Sequence, residues 1–252
     1  MKLLTKNLFL LAIALFAFAC NNEEAQPNQQ EEAAEVFEFS AENPPVDLPT
    51  AMQNSSTPEA QMINGFVASL NSISAYGAYF DIPEDAEFST TPVSTSGGRT
   101  AALADVQVYT WTYADGQQSF TIAYQLSETT TQYKFEIFFN YNGEGFTKVL
   151  EGQESKDASR DGNLKWYVAE LGADPIYVYS WKDNADGSFS AKFEGESYLL
   201  SYEIAADGSG EIEQSFDGVP FVTYTWNAEG TAGTVVYYDG DGNVTDTINW
   251  TA

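Results

Sequence analysis

Hydrophobic and polar residues alternate along the chain from about residue 106 to its end, which predicts a β-rich domain. Phe120, Ile122, Tyr124 and Leu126, for example, are each separated by one polar or small residue. A period of two is typical of strands that bury one face. The alternation predicts about 12 strands, at residues 106–113, 118–127, 131–141, 145–151, 163–170, 176–183, 188–194, 197–205, 210–216, 219–227, 232–239 and 244–251.

Turn-forming dipeptides separate the predicted strands and indicate how they connect. Asp-Gly or Asn-Gly pairs, such as Asn142-Gly143 and Asp207-Gly208, recur between strands. These pairs favour tight antiparallel hairpins. The predicted fold is therefore mainly β, an antiparallel up-and-down meander. A barrel, a half-barrel and an extended twisted sheet all satisfy this pattern.

The residues before the meander divide into three segments. Residues 20–57 are rich in Glu, Gln, Pro and Asn, a composition that predicts a flexible tether. Residues 58–80 place apolar side chains at helical spacing, with Pro58 in the first turn, and predict an amphipathic helix that packs on the sheet. Residues 81–104 contain Pro83 and Gly97-Gly98 and predict a loop, which leaves residues 105–252 for the meander domain.

A loose aromatic repeat runs through the meander. In three places Tyr and Trp stand two residues apart before a turn, and therefore on one face of a strand: Tyr109 and Trp111, Tyr179 and Trp181, and Tyr224 and Trp226. One interpretation is a repeated hairpin whose aromatic rings build the core. The other is a platform of rings on which a glycan stacks.

The first 20 residues have the features of a cleavable export signal. Lys2 and Lys6 precede an apolar run from Leu8 to Ala19, like the charged head and hydrophobic middle of a signal peptide. The run is about 12 residues long, too short for a helix that spans a membrane. It ends in the segment Ala17-Phe18-Ala19-Cys20, which contains the only cysteine of the chain.

This segment resembles the cleavage site of bacterial lipoprotein precursors, although Ala17 and Phe18 depart from the usual Leu-Ala-Gly-Cys box. The resemblance implies removal of residues 1–19 and attachment of acyl chains such as palmitate to Cys20, which would hold the protein to a membrane. The next residues, Asn21-Asn22-Glu23-Glu24, resemble the export signals of surface lipoproteins in Bacteroidota. The expected location is a bacterial outer membrane, on its surface or on its periplasmic face.

The order of elements, one helix followed by a long meander, is distantly similar to the half-barrels of lipoprotein-carrier proteins. The Trp and Asp-Gly repeats also resemble those of uncharacterised repeat lipoproteins of Bacteroidota. Neither resemblance implies a functional residue. A carrier would hold an apolar, lipid-like ligand inside a curled sheet, in a cavity lined by Phe120, Ile122, Phe135, Ile137 and Tyr202.

Charge and missing residue types exclude several functions. The chain has 10 basic and 37 acidic residues and a net charge of −27. This acidity argues against nucleic acid as a partner, because phosphate binding needs a basic patch. The chain has no histidine, which excludes Ser-His-Asp catalysis and histidine-bound zinc.

Two acidic loops match parts of a calcium-binding loop. The segment Asp239-Gly240-Asp241-Gly242-Asn243, together with Asp246, offers oxygen ligands at alternate positions, although its glycines equally suit a hairpin. The segment Asp157-Ala158-Ser159-Arg160-Asp161-Gly162 has the opening of such a loop, but Val168 stands where a bidentate Glu is needed. Solvated turns are the alternative for both.

The expected function is binding without catalysis. The sequence predicts an envelope lipoprotein whose meander binds a ligand or a partner, with no cofactor unless calcium is bound. A carrier of an apolar ligand is one alternative. A glycan hydrolase is another, because such enzymes need only two carboxylates at a set separation. The sequence leaves the ligand and the oligomeric state open.

Overall fold

The computed structural model describes residues 47–72, 82–93, 106–115, 118–157, 161–168, 171 and 173–252. All of the described residues belong to one compact unit. The predicted signal peptide, the predicted lipidation site Cys20 and residues 20–46 of the predicted tether lie outside the described residues.

Thirteen antiparallel strands form one sheet, in which each strand pairs with the strands before and after it in sequence. The meander prediction is confirmed, and the sheet is open and not a closed barrel. The strands are β1 (Glu87–Ser89), β2 (Gln107–Asp115), β3 (Gln118–Glu128), β4 (Gln132–Tyr141), β5 (Phe146–Ser155), β6 (Gly162–Trp166), β7 (Tyr177–Asp183), β8 (Phe189–Glu194), β9 (Tyr198–Ile204), β10 (Gly210–Phe216), β11 (Val219–Trp226), β12 (Ala232–Tyr238) and β13 (Val244–Thr251).

The twelve predicted strands correspond to β2–β13, and the structure adds one more. Strand β1 lies within residues 81–104, which were predicted to be a loop, and it pairs with β2 so that Phe88 is opposite Tyr109. Three residues are too few to show a period of two, so the alternation pattern did not detect this strand.

Strand alternation gives the sheet two faces of different chemistry. The aromatic face carries large, mostly buried side chains, among them Tyr124, Phe135, Tyr179, Tyr202 and Tyr224. The polar face carries Gln125, Glu136, Glu151 and Lys165 on the consecutive strands β3–β6, and Glu194 on β8. Near β2–β4 this polar face also has a small core of Val106, Val108, Ala123 and Phe138, against which Val93 packs.

In the part of the chain that the structure describes, two helices, α1 (Thr50–Gln53) and α2 (Pro58–Ser72), precede the sheet. Helix α2 packs on the aromatic face, as the sequence predicted. The Tyr202 hydroxyl donates to the Phe66 carbonyl oxygen at 3.1 Å, and the Phe66 and Tyr224 rings lie 5.4 Å apart. The buried stripe of α2 consists of Ala60, Ile63, Val67 and Leu70. Residues 73–80 of the predicted helix lie outside the described residues.

Residues 47–57 are packed structure, although the sequence predicted a flexible tether up to residue 57. Met52 in α1 has no exposed area. Gly230, in the β11–β12 turn, has a φ of +67°, and a Cβ there would lie 2.6 Å from the Pro49 Cβ. The tether prediction rested on the polar composition of the whole segment, which hid the few apolar residues that dock on the turns.

Candidate functional site

The aromatic repeat forms part of the core. Tyr109, Tyr179, Trp181, Tyr224 and Trp226 are all at most 6% exposed. Trp111 is half-buried, and its indole nitrogen is buried without a hydrogen-bond partner among the described residues. A glycan cannot stack on the five buried rings in this fold.

Three tryptophan rings lie across a glycine of the neighbouring strand. The pairs are Trp181 with Gly162, Trp226 with Gly210, and Trp250 with Gly233. A Cβ atom at each glycine would overlap the indole ring, so only glycine leaves room for it. Phe135 lies over Gly152 in the same way. The sequence showed the tryptophans but gave no reason to connect them to these glycines, because the pairing depends on register.

The interior predicted for a carrier is filled with protein side chains. Phe135 and Tyr202 are fully buried or nearly so, and the Phe120 ring packs edge-on against Phe139 at 4.7 Å. A cavity of about 400 Å³ lies instead beside the β9–β10 turn, where it opens to solvent. Its lining includes the carboxylates of Glu203 and Glu211, which do not suit an apolar ligand.

The Asp239 segment forms a self-contained turn. Both carboxylate oxygens of Asp239 accept hydrogen bonds from the Asn243 side chain, and one also accepts from the backbone N–H of Asp241 and Asn243. These bonds lower the pKa of Asp239. Asp246 accepts a bond from the Thr247 backbone N–H.

The described part of the chain contains no group of three or more acidic, cysteine or histidine residues placed to hold a metal ion. Of the second predicted calcium loop, residues 158–160 lie outside the described residues, so its geometry is not defined.

A charged network on the polar face is the most organised polar feature of the sheet. The Lys148 ammonium group binds Glu136 at 2.9 Å and Glu151 at 2.6 Å. The Gln125 side-chain nitrogen donates to Glu136 at 2.8 Å, and the Gln125 side-chain oxygen accepts from the Val93 backbone N–H at 2.8 Å. The network therefore attaches Val93, the last residue of segment 82–93, to the sheet.

Further lysines surround the same carboxylates. Lys134 lies 3.3 Å from Glu136, and Lys165 lies 3.4 Å from Glu151. Burial would raise the pKa of Glu151, but its hydrogen bond to Lys148 and the nearby lysine charges outweigh this effect, so the pKa is lowered. Burial would lower the pKa of Lys148, but its bonds to Glu151 and Glu136 raise it. Each partner thus holds the other in its charged form.

Glu136 and Glu151 lie close enough together to be compared with a catalytic pair, but their environment differs from that of such a pair. Because both carboxylates bind the same nitrogen, their bonded oxygens are no more than about 5.5 Å apart, a separation found in retaining glycosidases. Such an enzyme needs one carboxyl group that stays protonated near neutral pH. Glu151 has its pKa moved in the opposite direction, and Lys148 bridges the two groups.

Most of the basic residues in the described part of this acidic chain lie on one surface. Of the 10 lysines and arginines, six are in the described residues, and all six lie on β4–β8 or in the β5–β6 loop. Five of them face the same side of the sheet, the polar side. We call these five the lysine patch: Lys134, Lys148, Lys165, Lys182 and Lys192.

The lysine patch has a central row of residues that lie opposite one another in register. Lys134 is opposite Gln153, Gln153 is opposite Asn163, Asn163 is opposite Ser180, and Ser180 is opposite Lys192. With strands about 4.8 Å apart, the row is about 19 Å long. The sequence pattern did not reveal this patch. The only signal was that each lysine occupies a polar position in the alternation, which is also the usual place for a solvated side chain.

The polar face carries lysines only as far as the lysine patch extends, and the next two strands carry acidic residues instead. Strands β9 and β10 place Glu203 directly opposite Glu211. Burial, followed by the charges of Glu213 and Glu203, raises the pKa of Glu211. On β4–β8 this face carries five lysines together with three glutamates, Glu136, Glu151 and Glu194, whereas on β9 and β10 all of its charged residues are acidic.

Comparison with known proteins found no matching family model, no matching curated protein and no matching solved structure. Among the described residues, neither helix has the length and apolar character needed to cross a bilayer.

Proposed function

We propose that the protein is a non-catalytic lipoprotein of the bacterial cell envelope, whose sheet is a binding surface. Lipid on Cys20 would anchor it to the outer membrane. The export-signal features of residues 1–20 support the anchor. The sheet supports the binding function, because it combines a packed aromatic face with a polar face on which several side chains remain exposed.

The observation that carries this proposal is the asymmetry of the sheet. On the aromatic side, α2 and the aromatic rings bury one another. On the polar side, Lys182, Lys192, Glu203 and Glu211 are exposed on four adjacent strands. An antiparallel sheet with one solvated face is stable without further cover, so this face is free to contact a ligand or partner.

Replacement of the anchoring cysteine tests the envelope location. In a bacterial host that acylates lipoproteins, we expect the full-length protein to sediment with outer membranes and to incorporate labelled palmitate. The Cys20→Ser variant should incorporate no label and should be recovered in the soluble fraction, because a protein without acyl chains lacks its membrane attachment.

The neighbouring substitution Asn21→Ser is the matched control, because it changes a side chain beside the cleavage site and leaves the sulfur in place. It should remain membrane-bound and labelled. Full membrane retention of Cys20→Ser would show that the proposed anchor is wrong.

A further inference from the structure

We infer that the lysine patch is a binding site for a polyanionic polysaccharide, one that carries carboxylate or sulfate groups along a linear chain. This inference rests on the proposed binding function and names its site and its ligand class. It is carried by the placement of five lysines on one side of five consecutive strands in a chain with a net charge of −27.

The two ends of the patch have different roles. Lys134, Lys148 and Lys165 bind Glu136 and Glu151, so their charges are largely compensated. Lys182 and Lys192 are exposed and make no ion pair with any described residue. Their ammonium groups are therefore available to an anionic ligand, while the compensated lysines hold the strands beneath it.

The central row has the chemistry of a sugar-binding surface. Between its two lysines lie Gln153, Asn163 and Ser180, which offer amide and hydroxyl groups to the hydroxyls of a sugar chain. The side-chain oxygen of Asn163 is buried without a hydrogen-bond partner among the described residues. Buried polar atoms are normally paired, so this one oxygen of the row is an unsatisfied acceptor among the described residues.

The shape of the row favours a linear polymer over other anions. A row about 19 Å long can contact several successive units of a polysaccharide, whereas a single lipid headgroup or phosphate would cover only part of it. The row contains no aromatic ring, and single-stranded nucleic acids bind largely by stacking their bases on such rings. The acidic residues Glu203 and Glu211 on β9 and β10 would repel a polyanion and confine it to β4–β8.

Calorimetric titration of the full-length protein in detergent tests the inference. The probes are polygalacturonate for carboxylate, dextran sulfate for sulfate, and neutral dextran as the uncharged reference. We expect binding to one or both anionic polymers and none to dextran. Because the lysines are at the surface, added salt should weaken the binding. A single-stranded oligonucleotide and vesicles of phosphatidylglycerol are the competing polyanions, and the vesicles are titrated with the Cys20→Ser variant in the absence of detergent, so that no acyl chain can insert.

Two single charge reversals locate the site. Lys192→Glu should weaken binding of the preferred polymer about fivefold, a typical size for the loss of exposed ion pairs together with new repulsion. Lys156→Glu is the control, because it changes the net charge equally, but its ammonium group lies over the Tyr133 ring on the aromatic side of the sheet, where it is paired with Glu128. It should change the affinity less than about twofold. Circular dichroism melting curves check that both variants are folded.

Different outcomes test the position of the site, the class of ligand and the proposed function separately. Equal weakening by both reversals, or weakening by neither, would overturn the assignment of the site. No binding to either anionic polymer, or tighter binding to the vesicles or the oligonucleotide, would overturn the ligand class. Neither result touches the membrane attachment through Cys20, which the palmitate experiment measures independently.

Discussion

At the scale of single residues, glycine determines where the large rings of the sheet can lie. The Trp226 ring covers Gly210, and its indole nitrogen donates to the Gly208 carbonyl oxygen at 2.9 Å. A glycine within a strand normally weakens it. Here the missing side chain is replaced by an indole ring from the next strand, so the glycine position is filled from outside.

Substitution of Gly210 by alanine should therefore be destabilising. The new Cβ would overlap the Trp226 ring and would also lie 2.8 Å from the Glu203 carbonyl oxygen, which belongs to the backbone and cannot move easily. Overpacking of this kind typically costs about 1–3 kcal/mol in the free energy of unfolding. Urea unfolding followed by tryptophan fluorescence measures the loss.

The control for this prediction is Gly240→Ala in the β12–β13 turn. A Cβ at Gly240 meets no atom within 4 Å, and its φ lies outside the left-handed region. The unfolding free energy of this variant should stay within about 0.5 kcal/mol of the parent value. If Gly210→Ala were equally neutral, the ring could not be packed against the glycine as described.

At the scale of elements, α2 is held to the sheet by one narrow stripe. Ile63 is fully buried, whereas Gly65, two residues later, is exposed and has no atom within 4 Å of the position of a Cβ. The two positions lie on different sides of one helix, so substitutions at them should change the free energy of unfolding in opposite directions.

Ile63→Ala should lower the unfolding free energy by about 2–5 kcal/mol, because it removes buried methyl groups and leaves a cavity. Gly65→Ala should raise it by about 0.5–1 kcal/mol, because alanine has the higher helix propensity. Urea unfolding curves of both variants, recorded side by side, give the two values. A neutral Ile63→Ala would mean that α2 does not pack on the sheet in solution.

At the scale of the whole molecule, the sheet is a series of hairpins in which contacts are made between neighbours. Each strand pairs only with the strands beside it in sequence, from β1 to β13. Such an arrangement adds stability unit by unit. The buried tyrosines Tyr179, Tyr202 and Tyr224 lie on β7, β9 and β11, so buried ionisable phenol groups occur along the sheet.

This property predicts that the protein loses stability in alkali. Burial raises the pKa of Tyr179 and Tyr202, and it raises the pKa of Tyr224 to about 12. Below pH 10 the three phenols are neutral in the folded and unfolded states, and their contribution is intact. Above pH 10 the unfolded chain releases these protons while the folded protein keeps them, so stability falls as pH rises through this range.

Urea midpoints at about pH 9 and pH 11, with tyrosinate absorbance as a second probe, measure this decline. In the Tyr179→Phe variant the decline should be shallower, because one ionisable group is absent from the unfolded state. An identical slope in the variant would exclude Tyr179 as a contributor.

Much of this fold follows from local sequence. All of the longer strands were predictable because a half-buried strand has a period of two, and their order followed from the tight turns between them. The packing of α2 was predictable because its apolar residues recur at helical spacing. Strand β1 and helix α1 were not predictable, since three or four residues carry no period.

The candidate site was not predictable in the same way. The sequence shows that a lysine occupies a polar strand position, but it does not show whether its neighbours on the adjacent strands are lysines, amides or acids. Strand register alone placed Lys134 and Lys192 at the two ends of one row, and it placed Lys148 between Glu136 and Glu151. The aromatic repeat had two interpretations in the sequence, and tertiary packing placed all of its rings in the core except that of Trp111, which is half-buried.

The sequence by itself determined that this chain forms a meander with one apolar face, because alternation and turn chemistry act between residues close together in the chain. Only the tertiary structure decided that the sheet stays open, that tryptophans cover glycines, and that five lysines of an acidic protein share one surface. Those outcomes depend on register and on contacts between distant residues, which no local pattern encodes.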